Sequence, residues 1–241
     1  WLMVLNDIVC VKITMFFLQG SKSVIELSKD NQIFIVTMND GANMICLEWQ
    51  QRMLDILDQL EHQPHAAAAM VMIGVDKFFS NGLNLEVLNK LDSDDWHRFA
   101  EQMKAIHRRM LRLPFPTVAA VNGHAFAGGA FLALSCDYRI MREDRGWICI
   151  SEVDAGVPLP QGMMEFLRYR LPPITLRDAV LTGKRYTADE AIAAGFADGK
   201  ASAENLLADA KALAASLAVK ESGIFTAIKH AHVAPIIEAL Q

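Results

Sequence analysis

The sequence predicts an α/β fold with parallel strands, and three observations carry that reading. Apolar runs of strand length alternate with segments of helical period between residues 23 and 160. Two of those runs end in glycine turns that open directly into helices: Lys77-Phe-Phe-Ser-Asn-Gly82-Leu83-Asn84 and Asn122-Gly-His-Ala-Phe-Ala-Gly128-Gly129-Ala130-Phe131. Hydrophobic residues make up 52% of the 241 residues, enough for a sheet covered on both faces.

The elements follow in order. Ser23–Ser28 and Gln32–Met38 read as two strands joined by a tight Lys-Asp-Asn turn. Leu47 to Leu60 places Leu47, Met53, Leu54, Ile56, Leu57 and Leu60 at helical spacing. Ala66 to Gly74 is an unbroken apolar run and reads as a buried strand. Ser93 reads as the cap of a helix reaching about Leu113. Asp94 and Asp95 in its first turn and Arg108, Arg109 and Arg112 near its end suit the helix dipole. Pro114 and Pro116 stop it. Thr117–Val121 is a strand, Ala127–Cys136 a short apolar helix, and Tyr138–Met141 and Trp147–Ile150 are further strands.

From Gln161 onward the sequence is mostly helical. Thr187-Ala-Asp-Glu190 is a capping box, and Gly195 stops the helix it starts. Ser202 reads as the cap of an alanine- and leucine-rich helix to Val219, and a last helix begins near Ser222. The chain therefore divides into an α/β core over residues 21–160 and a helical C-terminal region over 161–241. Residues 1–20 read as a leader or extension. Their apolar stretch is interrupted by Asn6, Asp7 and Lys12, too broken for a membrane span, and it lacks the basic start of a signal peptide.

Composition excludes several classes of function. A net charge of −5 argues against a nucleic-acid partner. Cys10, Cys46, Cys136 and Cys149 are widely spaced without a C-x-x-C pair, which suits reduced thiols in a cytoplasmic compartment. The seven histidines show no metal-ligand spacing, so no metal is expected. The sequence ends Glu-Ala-Leu-Gln241, which is not the peroxisomal Ser-Lys-Leu signal.

The two glycine turns carry the chemistry. Glycine lets backbone approach a ligand, and a helix start leaves N–H groups without intrahelical partners. Two such turns face to face hold one oxygen between two backbone donors, an oxyanion hole. Just downstream, Ile150-Ser-Glu-Val-Asp-Ala-Gly156 supplies an acid, Glu152. Its sequence neighbours Trp147, Ile148, Ile150, Val153 and Val157 are apolar, a setting that raises a carboxylate pKa.

Six pieces in order give the chain a resemblance to the crotonase (enoyl-CoA hydratase/isomerase) superfamily. They are Phe79-Ser-Asn-Gly-Leu-Asn84, Pro116-Thr-Val-Ala-Ala-Val-Asn-Gly123, Ala127-Gly-Gly129, Cys136-Asp-Tyr-Arg139, Ser151-Glu-Val-Asp-Ala-Gly156 and Thr187-Ala-Asp-Glu-Ala-Ile-Ala-Ala-Gly195. The resemblance spans roughly residues 23–200. It implies a spiral of ββα units with a helical C-terminal region, an acyl-CoA thioester as substrate, and an enolate as the stabilised species. Coenzyme A would be part of that substrate, with no separate cofactor. Homotrimers or hexamers are implied too, with the C-terminal helices against a neighbour. A eukaryotic source would imply a peroxisomal or mitochondrial setting.

The resemblance also assigns roles. The oxyanion-hole donors would be the N–H groups of Leu83 and Gly128, and losing one donor of this kind costs roughly 3 kcal/mol. Gly82, Gly129 and Phe131 would line the substrate site, and Lys77 would meet the CoA phosphates. Hydratases of this family carry two glutamates. Here the first of those positions is Phe131, which moves no proton, and the second is Glu152. A single acid suits transfer of a proton from C2 to C4, so the pattern is similar to Δ3,Δ2-enoyl-CoA isomerases. Dienoyl-CoA isomerases carry further aspartates, and their counterparts here are Phe131 and Pro160.

The neighbouring residues have plainer readings. Asp154 reads as a structural hydrogen-bonding residue and His124 as a packing or backbone-bonding one. Asn84 reads as a helix cap. Phe126, Phe131 and Leu134 line either core or an acyl pocket, as do Met163 and Met164. A hydratase that manages with one glutamate and a catalytically weak acyl-CoA binder are the alternative readings.

Overall fold

The computed structural model describes residues 24–62 and 68–241. The leader or extension expected at residues 1–20 and the thiol of Cys10 lie outside them. β1 (Ile25–Asp30) and β2 (Ile33–Met38) form the expected antiparallel hairpin. Its turn falls at Asn31 and Gln32, later than the sequence suggests, because Asn31 adopts φ 55°, a conformation asparagine tolerates. α1 (Leu47–Glu61), β3 (Ala69–Ile73), β4 (Phe78–Ser80), α2 (Leu85–Leu88) and α3 (Ser93–Arg112) follow. Next come β5 (Thr117–Val121), β6 (His124–Phe126), α4 (Gly128–Ser135), β7 (Tyr138–Arg142) and β8 (Ile148–Cys149). The remainder holds α5 (Glu152–Ala155), α6 (Gln161–Arg170), α7 (Pro173–Thr182), α8 (Ala188–Ala194), β9 (Gly199–Ala201), α9 (Leu206–Ala218) and α10 (Ser222–Ala239).

The strands form two sheets. The larger runs β1-β2-β3-β5-β7-β9 and is parallel beyond the first hairpin. The smaller runs β4-β6-β8 and is parallel throughout. The chain thus repeats one unit three times: a strand of the large sheet, a strand of the small sheet, then helix. This is the spiral of ββα units. The sequence does not reveal the small sheet as a sheet. Strands of two and three residues are too short to show a period of two.

Alternation decides which face of the large sheet buries what. Met70 and Met72 of β3, with Ala119 and Val121 of β5, join the main core beside α1, α3 and α4. Ala69, Val71, Val118 and Ala120 point the other way and meet Leu206, Ala210, Ala214 and Ala218 of α9. Those four recur every fourth residue, so α9 presents a small-residue stripe that packs closely on the sheet. The stretch after residue 160 is mostly helical but also supplies β9, which pairs with β7. Among the described residues, no helix is long and apolar enough to cross a membrane.

Two helix starts differ from expectation. Asp92 rather than Ser93 caps α3, its Oδ1 accepting from the Asp95 N–H at 2.8 Å. The alanine-rich helix begins at Leu206, because the carbonyl of Ser202 accepts from Asn205 and Leu206 in a preceding turn. The capping box of α8 is as read, with the Thr187 N–H donating to Glu190 at 3.0 Å and Gly195 closing the helix in the left-handed region.

One buried ion pair ties α10 to the sheet. Lys229 Nζ donates to Asp137 Oδ2 at 2.7 Å and to the Phe115 carbonyl at 3.0 Å. Asp137 also accepts from the backbone N–H and the hydroxyl of Thr117, at 2.9 and 3.1 Å. Removing Asp137 leaves a buried ammonium unpaired, whereas removing Lys229 leaves the carboxylate its Thr117 bonds. Asp137→Ala is therefore expected to cost about 3–5 kcal/mol in urea unfolding, and Lys229→Met clearly less.

Candidate active site

The site assembles at the carboxyl ends of the three small-sheet strands. β4 runs into Asn81-Gly82-Leu83, β6 into Ala127-Gly128-Gly129, and β8 into Ile150-Ser151-Glu152. Because the strands are adjacent and parallel, these three segments emerge side by side. Carboxyl ends of parallel strands are where α/β proteins usually place ligands.

Close backbone contact brings the first two segments together. A Cβ on Gly82 would lie 2.8 Å from the Phe126 carbonyl oxygen and 3.2 Å from the Gly128 nitrogen. A Cβ on Gly129 would lie 2.2 Å from the carbonyl oxygen of Ser80, which no side chain tolerates. The Gly82 carbonyl accepts from Ile45 at 2.8 Å, and the Asn84 N–H donates to the Ile45 carbonyl at 2.9 Å. That parallel bridge uses the groups on either side of Leu83 and turns the Leu83 N–H away from Ile45. The Gly128 N–H begins α4 and has no intrahelical acceptor. Asn84 caps α2 as expected, its Oδ1 accepting from Val87 at 3.3 Å.

Three residues that the sequence reading missed hold this arrangement. Ser80 Oγ donates to the Asn43 carbonyl at 2.7 Å and accepts from the Gly82 N–H at 3.2 Å. The Asn43 side-chain amide donates to the carbonyls of Phe78 and Phe79, at 3.2 and 3.1 Å. Ala127 adopts φ 48° and ψ −118°, a strained backbone for a residue with a Cβ, at the position that aims Gly128. Ser80 and Ala127 lie in the quoted motifs without a role read from them, and nothing local in the sequence marks Asn43.

Glu152 opens α5, a single helical turn, rather than sitting on an extended strand end. Its neighbour strand is fixed by the Ala127 N–H, which donates to the Cys149 carbonyl at 2.9 Å. Glu152 is 9% exposed, and its Oε2 is buried without a hydrogen-bond partner among the described residues. Burial raises the carboxyl pKa from 4.5 to about 7. The apolar neighbours divide. Ile148 and Ile150 are fully buried, while Trp147 and Val153 are 37% and 50% exposed and give little shielding.

Asp154 lies in the same turn but not as a second acid: its carboxylate sits against Gly183, where a Cβ would be 2.5 Å from Oδ2. Phe131, one turn into α4, is 2% exposed and packs on His107 and Phe166, at ring distances of 6.2 and 5.6 Å. Leu134 is core, Met163 packs at the core edge, and Phe126 is half-buried. Lys77 stands apart. It precedes β4, at the opposite end of that strand from Leu83, exposed and with Nζ 5.6 Å from the Phe78 ring. Two amide donors and one near-neutral carboxyl are an arrangement for stabilising an oxyanion while moving a proton.

Comparison with known proteins agrees with this architecture. The family model described as enoyl-CoA hydratase/isomerase matches residues 28–241. Enoyl-CoA delta isomerase 3 of Arabidopsis thaliana is 33% identical over 202 residues, covering 81% of this chain and 85% of that protein. An enoyl-CoA isomerase structure from Mycobacterium tuberculosis superposes with TM-score 0.83 at 26% identity, covering 90% of this chain and 94% of that one. An enoyl-CoA hydratase structure from Mycobacterium ulcerans gives TM-score 0.84 at 29% identity, with 90% and 94% covered.

The raised pKa of Glu152 has a stability consequence whose sign is fixed. The unfolded chain ionises this group near 4.5 and the folded chain near 7. Between those values the unfolded state loses its proton first, so stability falls as pH rises and the whole cost is present above pH 7. The loss is on the order of 3 kcal/mol. Glu152→Gln is expected to remove that part of the decline, read as the change in Tm between pH 4.5 and pH 8 for both proteins.

Proposed function

The chain belongs to the enoyl-CoA hydratase/isomerase family, and within it we propose that it shifts the double bond of a 3-enoyl-CoA to give the conjugated 2-enoyl-CoA. The observation that carries this reading is a buried carboxyl, Glu152, with Oε2 unpartnered among the described residues, beside the two glycine turns. The N–H groups of Leu83 and Gly128 hold the thioester oxygen. Their bonds strengthen as that oxygen gains charge, so they favour the transition state over the bound substrate.

Glu152, ionised, takes a proton from C2. The electrons pass through the C1 carbonyl to form a dienolate held by the two amides. The protonated Glu152 then returns the proton at C4, leaving the double bond between C2 and C3. One carboxyl serves both steps, because the two carbons lie on the same face of a short conjugated unit. Burial makes Glu152 suited to this work, since a pKa of about 7 lets it hold or release a proton near neutrality. Phe131 stands where a second acid would be needed to activate water, so hydration lacks its partner. Gly82 and Gly129 permit the backbone approach, and Lys77 receives the phosphate end of the substrate. The resemblance of the sequence to enoyl-CoA delta isomerase 3 supports the same choice.

The test is to mix the protein with a 3-enoyl-CoA and follow the conjugated thioester by absorbance. Conjugated product is expected to form and persist, and Glu152→Gln to lower kcat by at least about a thousandfold, as loss of the sole base implies. For the unaltered protein, kcat/KM is expected to rise through about pH 7 and level off above it, because the base acts ionised. Consumption of 2-enoyl-CoA at a comparable rate would favour hydration instead. Full turnover by Glu152→Gln would remove the proton role.

A further inference from the structure

Arg170 is the last residue of α6, and its guanidinium lies within electrostatic reach of Cys136, Asp137 and Arg139. Those residues sit at the amino end of β7, a strand of the large sheet, whereas the proposed chemistry sits at the carboxyl ends of the small sheet. Nε and Nη2 of Arg170 are buried with no hydrogen-bond partner among the described residues. These two nitrogens form one edge of the guanidinium. With that same edge Arg109 grips Glu61 and Arg142 grips Asp144.

The neighbours of Arg170 spend their bonding elsewhere. Asp137 Oδ2 accepts from Lys229 and from the backbone and hydroxyl of Thr117. Arg139 is satisfied by the carbonyls of Cys136 and Phe196 and by Asp198. Burial pushes the Cys136 thiol up to about 12, so it stays neutral. The Tyr169 hydroxyl donates to the His232 carbonyl. Two carboxylates, Asp137 and Asp198, therefore face three cations, Arg139, Arg170 and Lys229. A buried carboxyl such as Glu152 escapes an imbalance of this kind by keeping its proton, but a guanidinium in a protein does not give one up. Burial and the charge of Arg139 both act against the Arg170 cation, so what it lacks is a counter-ion.

We infer that the Nε–Nη2 edge of Arg170 is a binding site for a carboxylate-type oxyanion. Two parallel N–H groups match the two oxygens of one carboxylate, which satisfies both donors and balances the charge in one step. Arg139 adds attraction without competing for the ligand, since its Nε, Nη1 and Nη2 each hold an acceptor already. Arg170 is half-buried as a residue, so the carboxylate is either a small free anion or a side chain of a second copy of this chain. The site serves stability and is independent of the acyl-CoA reading.

Thermal unfolding of the full chain reads the site without any substrate. Sodium acetate replaces sodium fluoride at constant ionic strength, so that the carboxylate alone varies. The unaltered chain is expected to gain about 4 °C in Tm between about 10 and about 300 mM acetate, the shift that millimolar binding to the folded state implies. Arg170→Lys keeps the charge without the fork, Arg170→Met removes both, and each is expected to lose that gain. Arg98→Gln, an exposed change on α3, is expected to keep it. An acetate gain that is the same at every protein concentration marks a free anion. A Tm that is indifferent to acetate but rises with protein concentration, and rises less in Arg170→Lys, marks the carboxylate of a second copy. Either result upholds the site. An equal response to acetate in the unaltered and Arg170→Lys chains would overturn it. So would indifference to acetate with the same dependence on protein concentration in both.

Discussion

The carbonyl oxygen of Ser80 lies 2.2 Å from where a side chain on Gly129 would begin, and the rest of the site depends on that contact. It locks the end of β4 against the start of α4 with no atom between them. The same kind of contact recurs along the small sheet, where a Cβ on Gly123 would lie 2.0 Å from the Lys77 carbonyl oxygen. Backbone packed this closely has few alternative arrangements, so the two turns keep their relative position without help from a ligand. Ser80 and Asn43 then fasten the outer turn by side-chain bonds to backbone. Preorganised donors of this kind stabilise developing charge without reorganising during reaction.

Within this rigid frame, Glu152 is held at a cost. An ordinary carboxyl at a helix start would be solvated and ionised well below neutrality. Here burial overrides the helix terminus, α5 being only a single turn, and leaves Oε2 without a partner among the described residues. Stability surrendered at such a group is a common feature of working sites. The large sheet, the α9 stripe and the buried Lys229–Asp137 pair supply the surrounding stability.

Much of the fold is legible in the sequence because its signals are local. The apolar run of β3, the period of α1, the capping box of α8 and the strand Thr117–Val121 each lie within one short window. The misplaced helix starts have local competitors as their cause. Asp92 outcompetes Ser93 as the cap of α3, and a turn at Ser202 delays α9. The small sheet escapes detection for a different reason, since its strands pair residues far apart in sequence and are too short to show alternation.

By itself the sequence determined the α/β class, the two glycine turns, the acid at Glu152 and the absence of an acid at Phe131. These follow from residue identity and order. Only the tertiary structure decided that both turns and Glu152 emerge from adjacent parallel strands, and that Asp154 faces Gly183. It also decided that Asn43 and Ala127 serve the turns, and that His124 packs among the rings of Phe78, Phe126 and Trp147. Proximity across the chain depends on strand pairing and packing, and burial on everything that surrounds a group, so neither is written in a local stretch of residues.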